Sequence, residues 1–344
     1  MPHLIFIPAT AAPEAGPDVA AQTALTLARL DERLRVERSS LGDALVITVY
    51  LRRAADFPAM NDAYKQVWKA TPPTRTTVVV DPQAPGAQVE MSAVAVSAGT
   101  ERRVVHPSSW MASPNPYSYG LRSGDTLFLS GLIPRNGTDN IVVSGDVATQ
   151  TRAVLENAKQ LLEAAGLSFT HLVSARVFLP DLKDFAEMNR VYREYVPYER
   201  PARATVGAGL TSGAYKVEMT FVASAAPRTA IDADAEKSPN LSPAIRVDDT
   251  LFVSGMLADG EASTGDPGAQ TRDIVRKIDA VIAKAGFTRA DVRDLLVYVT
   301  DHEAAKAAAT ACRAAFGSAA ITTVKVGLAD TGARVEIMSL AQRG

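Results

Sequence analysis

Apolar and polar positions follow one another along this chain in a rhythm that returns three times. In the middle third, Val154, Ala158, Leu161, Leu162 and Ala165 fall at helical spacing after Gln150-Thr151 and stop at Gly166, which predicts an amphipathic helix with a glycine C-cap. His171 to Leu179 then reads as a buried strand broken by Pro180-Asp181, and Phe185, Met188, Tyr192 and Tyr195 mark a second helix ending before Pro197. Two short strands close the unit. Arg203 enters the first, in Pro201-Ala202-Arg203-Ala204-Thr205-Val206, and Glu218 lies in the second, in Lys216-Val217-Glu218-Met219.

The first third repeats this order: Gln22-Thr23, a helix to about Arg35, a strand from Ala44 to Leu51, a helix carrying Phe57, Met60, Tyr64 and Val67, then Arg75 and Glu90. In the last third Gln270-Thr271 opens a helix that stops at Gly286, Arg293 to Thr300 is the strand, an alanine-rich helix runs through Cys312 to Phe316, and Glu336 follows. The Gln-Thr pairs stand 128 and 120 residues apart, the signature of an internal repeat. Copies two and three add a leading hairpin, Asp125 to Gly131 and Asp249 to Gly255, of which copy one keeps a shortened version, Leu4 to Ile7. Linkers are expected around Gly99 to Arg103 and Ala226 to Ser238, dividing the chain into units 1–100, 101–228 and 229–344. Each unit is β-β-α-β-α-β-β, an α/β (α+β) sheet with two helices on one face. Its other face must still be buried, and three such sheets around a common axis bury one another. The expected architecture is an intramolecular pseudo-trimer around a central β-barrel, helices outside.

The arginine and the glutamate are the candidate chemistry. Glu218 follows Arg203 by fifteen residues and Glu90 follows Arg75 by fifteen, whereas the position fifteen before Glu336 is Ile321. A hairpin would bring each pair into one cleft, Arg203 with Glu218 and Arg75 with Glu90. A planar guanidinium holds a carboxylate through two parallel charge-assisted hydrogen bonds. Hydrolysis of a C=N bond then needs a positioned water, a carboxylate to take its proton and donors for the developing charge. The competing readings are structural: a surface ion pair or a brace at the seam for Arg203, and a seam role for Glu218, because Glu336 persists without its arginine.

Composition narrows the field. The 344 residues are 47% hydrophobic and 22% charged, and no apolar run approaches the roughly 20 residues of a membrane span. Met1 to Pro8 lacks a basic n-region and a long apolar core, and Cys312 is the single cysteine, so a cytoplasmic protein without internal disulfides is expected. Cys312, on the alanine-rich helix, reads as a small buried apolar residue. Lys and Arg number 36 against 38 Asp and Glu, and no basic block occurs, so a nucleic-acid partner is not expected. His3, His106, His171 and His302 are scattered without metal-ligand spacing. No G-x-S-x-G, P-loop or G-x-G-x-x-G is present, so neither a metal nor a cofactor is expected. Trp68 and Trp110 read as core or rim.

In the middle copy, Asn115-Pro116-Tyr117-Ser118-Tyr119-Gly120, Ser130-Gly131, Gln150-Thr151, Glu156-Asn157, Ala164-Ala165-Gly166, Asp184-Phe185-Ala186-Glu187-Met188-Asn189, Pro201-Ala202-Arg203 and Val217-Glu218 together resemble the RidA (YjgF) family of enamine/imine deaminases. The resemblance implies a homotrimeric fold, here as three linked repeats, with clefts between neighbouring units. It implies a cofactor-free hydrolysis in which arginine binds the carboxylate of a 2-imino acid and glutamate holds or activates the water. Residue by residue, it assigns Arg203 and Glu218 to these roles, with Tyr117 and Asn189 lining the cleft. In copy one Arg75, Glu90 and Asn61 match, but the tyrosine segment is absent. Copy three has Ile321, Ala307 and Leu241 in place of the arginine, asparagine and tyrosine, so at most two clefts are expected to work. The expected partner is a small carboxylate substrate, the expected state a monomer as pseudo-trimer. The alternatives are a chorismatase-like enzyme, since that family also resembles fused RidA units, and a non-catalytic metabolite-binding protein. The loss of the arginine from the C-terminal unit counts against the first. The endoribonuclease activity described for some members sits poorly with the acidic balance.

Overall fold

The computed structural model describes residues 1–344 except 69, 197–198 and 233–238; Pro197 and the last six residues of the second expected linker lie outside the described residues. The long helix of each unit starts at an aspartate whose side chain accepts from a first-turn amide: Asp18 from Ala20 N, Asp146 from Thr149 N, Asp266 from Ala269 N. These helices are α1 (Val19–Val36), α3 (Val147–Ala164) and α5 (Pro267–Lys284). Gly166 (φ +73°) and Gly286 (φ +81°) terminate α3 and α5 in the left-handed conformation. Leu167 N and Phe287 N bond back to Leu162 O and Ile282 O. In the first unit the same turn is made by Arg38 (φ 58°), with Ser39 N bonding to Leu34 O.

The first unit contains β1 (Ile5–Ala11), β2 (Ala44–Leu51), α2 (Phe57–Lys65), β3 (Thr74–Val79) and β4 (Val89–Ala95). The second contains β5 (Arg103–Val105), β6 (Gly120–Ser123), β7 (Thr126–Leu129), β8 (Leu172–Leu179), α4 (Phe185–Tyr195), β9 (Ala202–Gly207), β10 (Gly209–Leu210) and β11 (Glu218–Ser224). The third contains β12 (Arg228–Ile231), β13 (Ala244–Val247), β14 (Thr250–Met256), β15 (Val292–Val299), α6 (His302–Ala315), β16 (Ala320–Lys325), β17 (Gly327–Leu328) and β18 (Val335–Gln342). In each unit the central strand runs parallel to the arginine-position strand, β2 with β3, β8 with β9, β15 with β16. A parallel pair needs a crossover, which α2, α4 and α6 supply. The glutamate strand then adds antiparallel to the opposite side of the central strand. The expected hairpin between arginine and glutamate strands is therefore absent, because the central strand lies between them.

The buried Gln of each Gln-Thr pair explains its recurrence. Gln150 Nε2 donates to Val143 O (3.1 Å) and Ala214 O (2.8 Å), and its Oε1 accepts from Lys216 N (2.7 Å). Gln22 and Gln270 likewise accept from Gln88 N and Arg334 N. Each glutamine pins the loop ahead of a glutamate strand to the first turn of a helix.

Three apolar clusters fill the space between each unit's sheet and its own helices, and two more draw side chains from all three units. The sheets do not close into the expected barrel. They form sheets of five, seven and six strands, and among the described residues the units exchange only two-residue ladders: β10 on β3 and β17 on β9. Where the third unit meets the first, Ala9 N donates to Thr322 Oγ1 at 3.0 Å. A barrel needs a continuous ladder around the ring; here side chains fill the seams.

Candidate active site

The register of the three sheets puts Glu90, Glu218 and Glu336 at one equivalent position, paired with Tyr50, Phe178 and Tyr298 of the central strands. Arg75, Arg203 and Ile321 occupy the corresponding position on the other side, paired with Ile47, Ala175 and Leu295. Because each arginine strand lies at the edge facing the next unit, arginine and glutamate meet across units. Arg75 of the first unit faces Glu218 of the second, and Arg203 of the second faces Glu336 of the third; in each couple the arginine's charge lowers the glutamate's pKa. Neither couple forms an ion pair within 4.0 Å among the described residues. The expected couples Arg203 with Glu218 and Arg75 with Glu90 are thus not formed, and Glu90 belongs to the junction whose arginine position is Ile321.

Main-chain bonds lock these junctions. Arg75 N donates to Ser130 Oγ (2.9 Å), Ser130 Oγ donates to Ser118 O (2.6 Å), and Gly131 N donates to Arg75 O (2.9 Å). Arg203 N, Ser254 Oγ and Ser242 O repeat the first two bonds at 2.8 and 2.6 Å. Glycine follows each serine because a Cβ at Gly131 or Gly255 would overlap Oε1 of Glu218 or Glu336. The first unit has Pro8-Ala9 at this place in β1, and Glu90 accepts instead from Ala84 N of its own loop (2.8 Å). Ile321 lies beside Ile7 and Pro8 along that junction.

At the first junction the Arg75 guanidinium is boxed by three rings, with Cζ 5.5 Å from Phe57, 4.9 Å from Tyr64 and 5.3 Å from Tyr117. Phe57 and Tyr64 come from α2. Tyr117 comes from the second unit, so the first copy's cleft has its tyrosine wall after all. Asn61 Nδ2 reaches Asn115 Oδ1 (3.1 Å), while Asn61 Oδ1 and Arg75 Nη1 are buried without a hydrogen-bond partner. At the second junction Arg203 stacks on Tyr192 (4.6 Å) and its Nη2 donates to Asn189 Oδ1 (2.7 Å), leaving Nε and Nη1 buried and unpartnered. Burial lowers the basicity of both arginines. Burial pushes the Glu218 carboxyl up to about 8 against the Thr77 amide and the charges of Arg75 and Arg176, and pushes Glu336 up to about 8 against Arg203. Burial thus favours the protonated form of both glutamates.

The sequence profile of the family described as Endoribonuclease L-PSP matches residues 7–97, 108–225 and 233–343, nearly the whole chain. The chain belongs to this family. Its RidA (YjgF) resemblance thus extends to all three copies. The family's relatives include Protein DfrA of Myxococcus xanthus, 40% identical over 124 residues that cover 36% of this chain and 95% of that protein. The 3-aminoacrylate deaminase RutC of Acinetobacter baylyi is 34% identical over 122 residues, 36% of this chain and 97% of RutC. A crystal structure of a chorismatase covers 99% of this chain and 98% of its own at TM-score 0.63 and 16% identity, a likeness of fold. RidA-like proteins thus include enamine deaminases, and a three-unit fold of this length has a solved counterpart.

Several junction residues escaped the sequence reading. Ser130-Gly131 and Ser254-Gly255 were visible as repeated hairpin ends but carried no role, and Phe57, Tyr64 and Tyr192 read only as apolar helix positions. Glu336 read as a remnant because its arginine was sought within its own unit. No helix is long and apolar enough to cross a membrane among the described residues.

Proposed function

We propose that the chain is a cofactor-independent hydrolytic deaminase of small carboxylate-bearing imines and enamines, working at the junction of its first two units. The observation that carries this is that Arg75 and Glu218, from different units, are both buried at one junction and feel each other's charge without an ion pair within 4.0 Å among the described residues. Arg75, backed by three rings and with Nη1 unpartnered, takes the substrate carboxylate. Glu218 begins protonated. It donates its proton to the imine nitrogen, or to the β-carbon of an enamine, and the resulting iminium is attacked by water. The Glu218 carboxylate takes the water's proton as the C–O bond forms, gives it to the amine nitrogen as the C–N bond breaks, and takes the hydroxyl proton as the carbonyl forms, so that ammonia and a 2-oxo acid leave and the protonated acid is restored. Tyr117 and Asn61 shape the cleft. In this reading the units 1–100, 101–228 and 229–344 stand in for three subunits, and the third junction, with Ile321, is structural.

The test is ammonia release from 2-iminopropanoate and 2-iminobutanoate made in situ by an amino-acid oxidase. Glu218→Gln and Arg75→Leu are expected to lose about 10²–10⁴ in kcat/KM, the range of general acid–base catalysis. Arg203→Leu should retain activity. Ordinary turnover by Glu218→Gln would reject the mechanism.

The second junction supports a second reading. The C-terminal unit's Glu336 receives its arginine, Arg203, from the middle unit, so the missing arginine no longer counts against a chorismatase-like activity on chorismate or a related acidic metabolite. Here Leu241 replaces the tyrosine and Asn189 holds Arg203. Loss of turnover on such acids in Arg203→Leu, with Arg75→Leu unaffected, would favour it. Retained ligand binding and no turnover in wild type would instead mark a metabolite-binding protein.

A further inference from the structure

The inner faces of the three sheets enclose a cavity of about 130 Å³ that the deaminase reading does not use. Successive layers of equivalent side chains line it. Val46, Ser174 and Asp294 share one position on the central strands, and Thr48, Arg176 and Leu296 share the next but one. Only the second unit contributes a guanidinium and only the third a carboxylate. Hydroxyls of Ser92, Thr220 and Ser339 face the same space.

Charges of opposite sign in one small cavity ordinarily pair, because an interior charge without a partner is costly. Arg176 and Asp294 form neither an ion pair within 4.0 Å nor a hydrogen bond with any other side chain among the described residues. Each is half-buried. We propose that this cavity binds a small zwitterion, an α-amino acid with a short side chain, its carboxylate on Arg176 and its ammonium on Asp294. The size agrees: about 150 Å³ is enough for benzene, so about 130 Å³ suits a ligand of six or so heavy atoms. Val46, Leu296 and Met338 offer apolar surface for the side chain. Burial pushes the Asp294 carboxyl up to about 7 against the charge of Arg176, and a bound ammonium would draw it down again.

Isothermal titration calorimetry of the intact chain with L-alanine tests this, with acetate and ethylamine as competitors that each carry one of the two charges. One site is expected, with acetate and ethylamine each displacing alanine at least about tenfold more weakly than alanine competes with itself. Asp294→Asn should weaken binding about tenfold or more while keeping the deaminase rate, and Arg75→Leu should bind alanine as wild type does. The proposal is overturned if no heat develops up to about 10 mM alanine, if acetate alone competes as well as alanine, or if Arg75→Leu abolishes binding that Asp294→Asn retains. Should Asp294→Asn fail to fold, the competitor series on wild type still decides.

Discussion

Gly131 shows how narrowly one residue sets the first junction. A Cβ there would overlap Oε1 of Glu218, so Gly131→Ala must swing the carboxylate away from the cleft. The expected result is a fall of about 10²-fold in kcat/KM with an unchanged far-UV circular dichroism spectrum. Ionisation is the other handle at this scale. Burial raises Glu218 to about 8, and the proposed mechanism starts from the protonated acid, so kcat/KM should be flat near neutral pH and fall above about pH 8. A rate that instead rises through pH 8 would mean the carboxylate, not the acid, begins the cycle. Stability follows the same proton. Burial raises Glu218 and Glu336 in the folded state above the ordinary carboxyl value of 4.5, so between about 4.5 and 8 the native state binds more protons than the unfolded one and stability falls as pH rises. The thermal midpoint should drop between pH 6 and pH 9, and drop less in the double variant Glu218→Gln, Glu336→Gln.

At the level of elements, the loop ahead of each glutamate strand hangs on a buried glutamine. Gln150→Leu would strand Val143 O, Ala214 O and Lys216 N, and an unsatisfied buried group costs about 1–3 kcal/mol; a denaturant titration should show a loss of that order. The elements themselves were largely legible, because helical periodicity, aspartate caps and glycine stops are local signals. Ala44 to Leu51 was read to the residue, and His171 to Leu179 differs only in giving His171 to a short 3-10 turn. What was not legible was which arginine meets which glutamate. That depends on strand order within a sheet and on which edge adjoins the next unit, and fifteen-residue spacing suggests a hairpin equally well. Tyr117 shares its place with Glu218, as expected, but with Arg75 in place of Arg203 for the same reason. The two-residue ladders β10–β3 and β17–β9 leave no recognisable period at all, so an open seam and a closed barrel read alike.

Across the whole molecule, the two ends of the chain are tied together. Gln342 Oε1 accepts from Leu4 N (2.8 Å), and its Nε2 donates to Pro2 O and Thr250 Oγ1 (both 2.9 Å). Gln342→Leu should lower the thermal midpoint by roughly 2–4 °C while the activity proposed for the junction of the first two units is retained. The crossed couples have a further reach, into genetics. Were the units separate polypeptides, mixing chains that lack the arginine with chains that lack the glutamate would rebuild some intact sites in mixed assemblies. Here Arg75 and Glu218 travel on one polypeptide, so co-expressing Arg75→Leu with Glu218→Gln chains should rescue nothing, and an assay of the mixture checks it. The same linkage lets each junction drift alone. A substitution in a single-unit gene strikes every junction of its oligomer at once, whereas the isoleucine at position 321 takes the arginine from one junction of this chain and leaves the other two theirs.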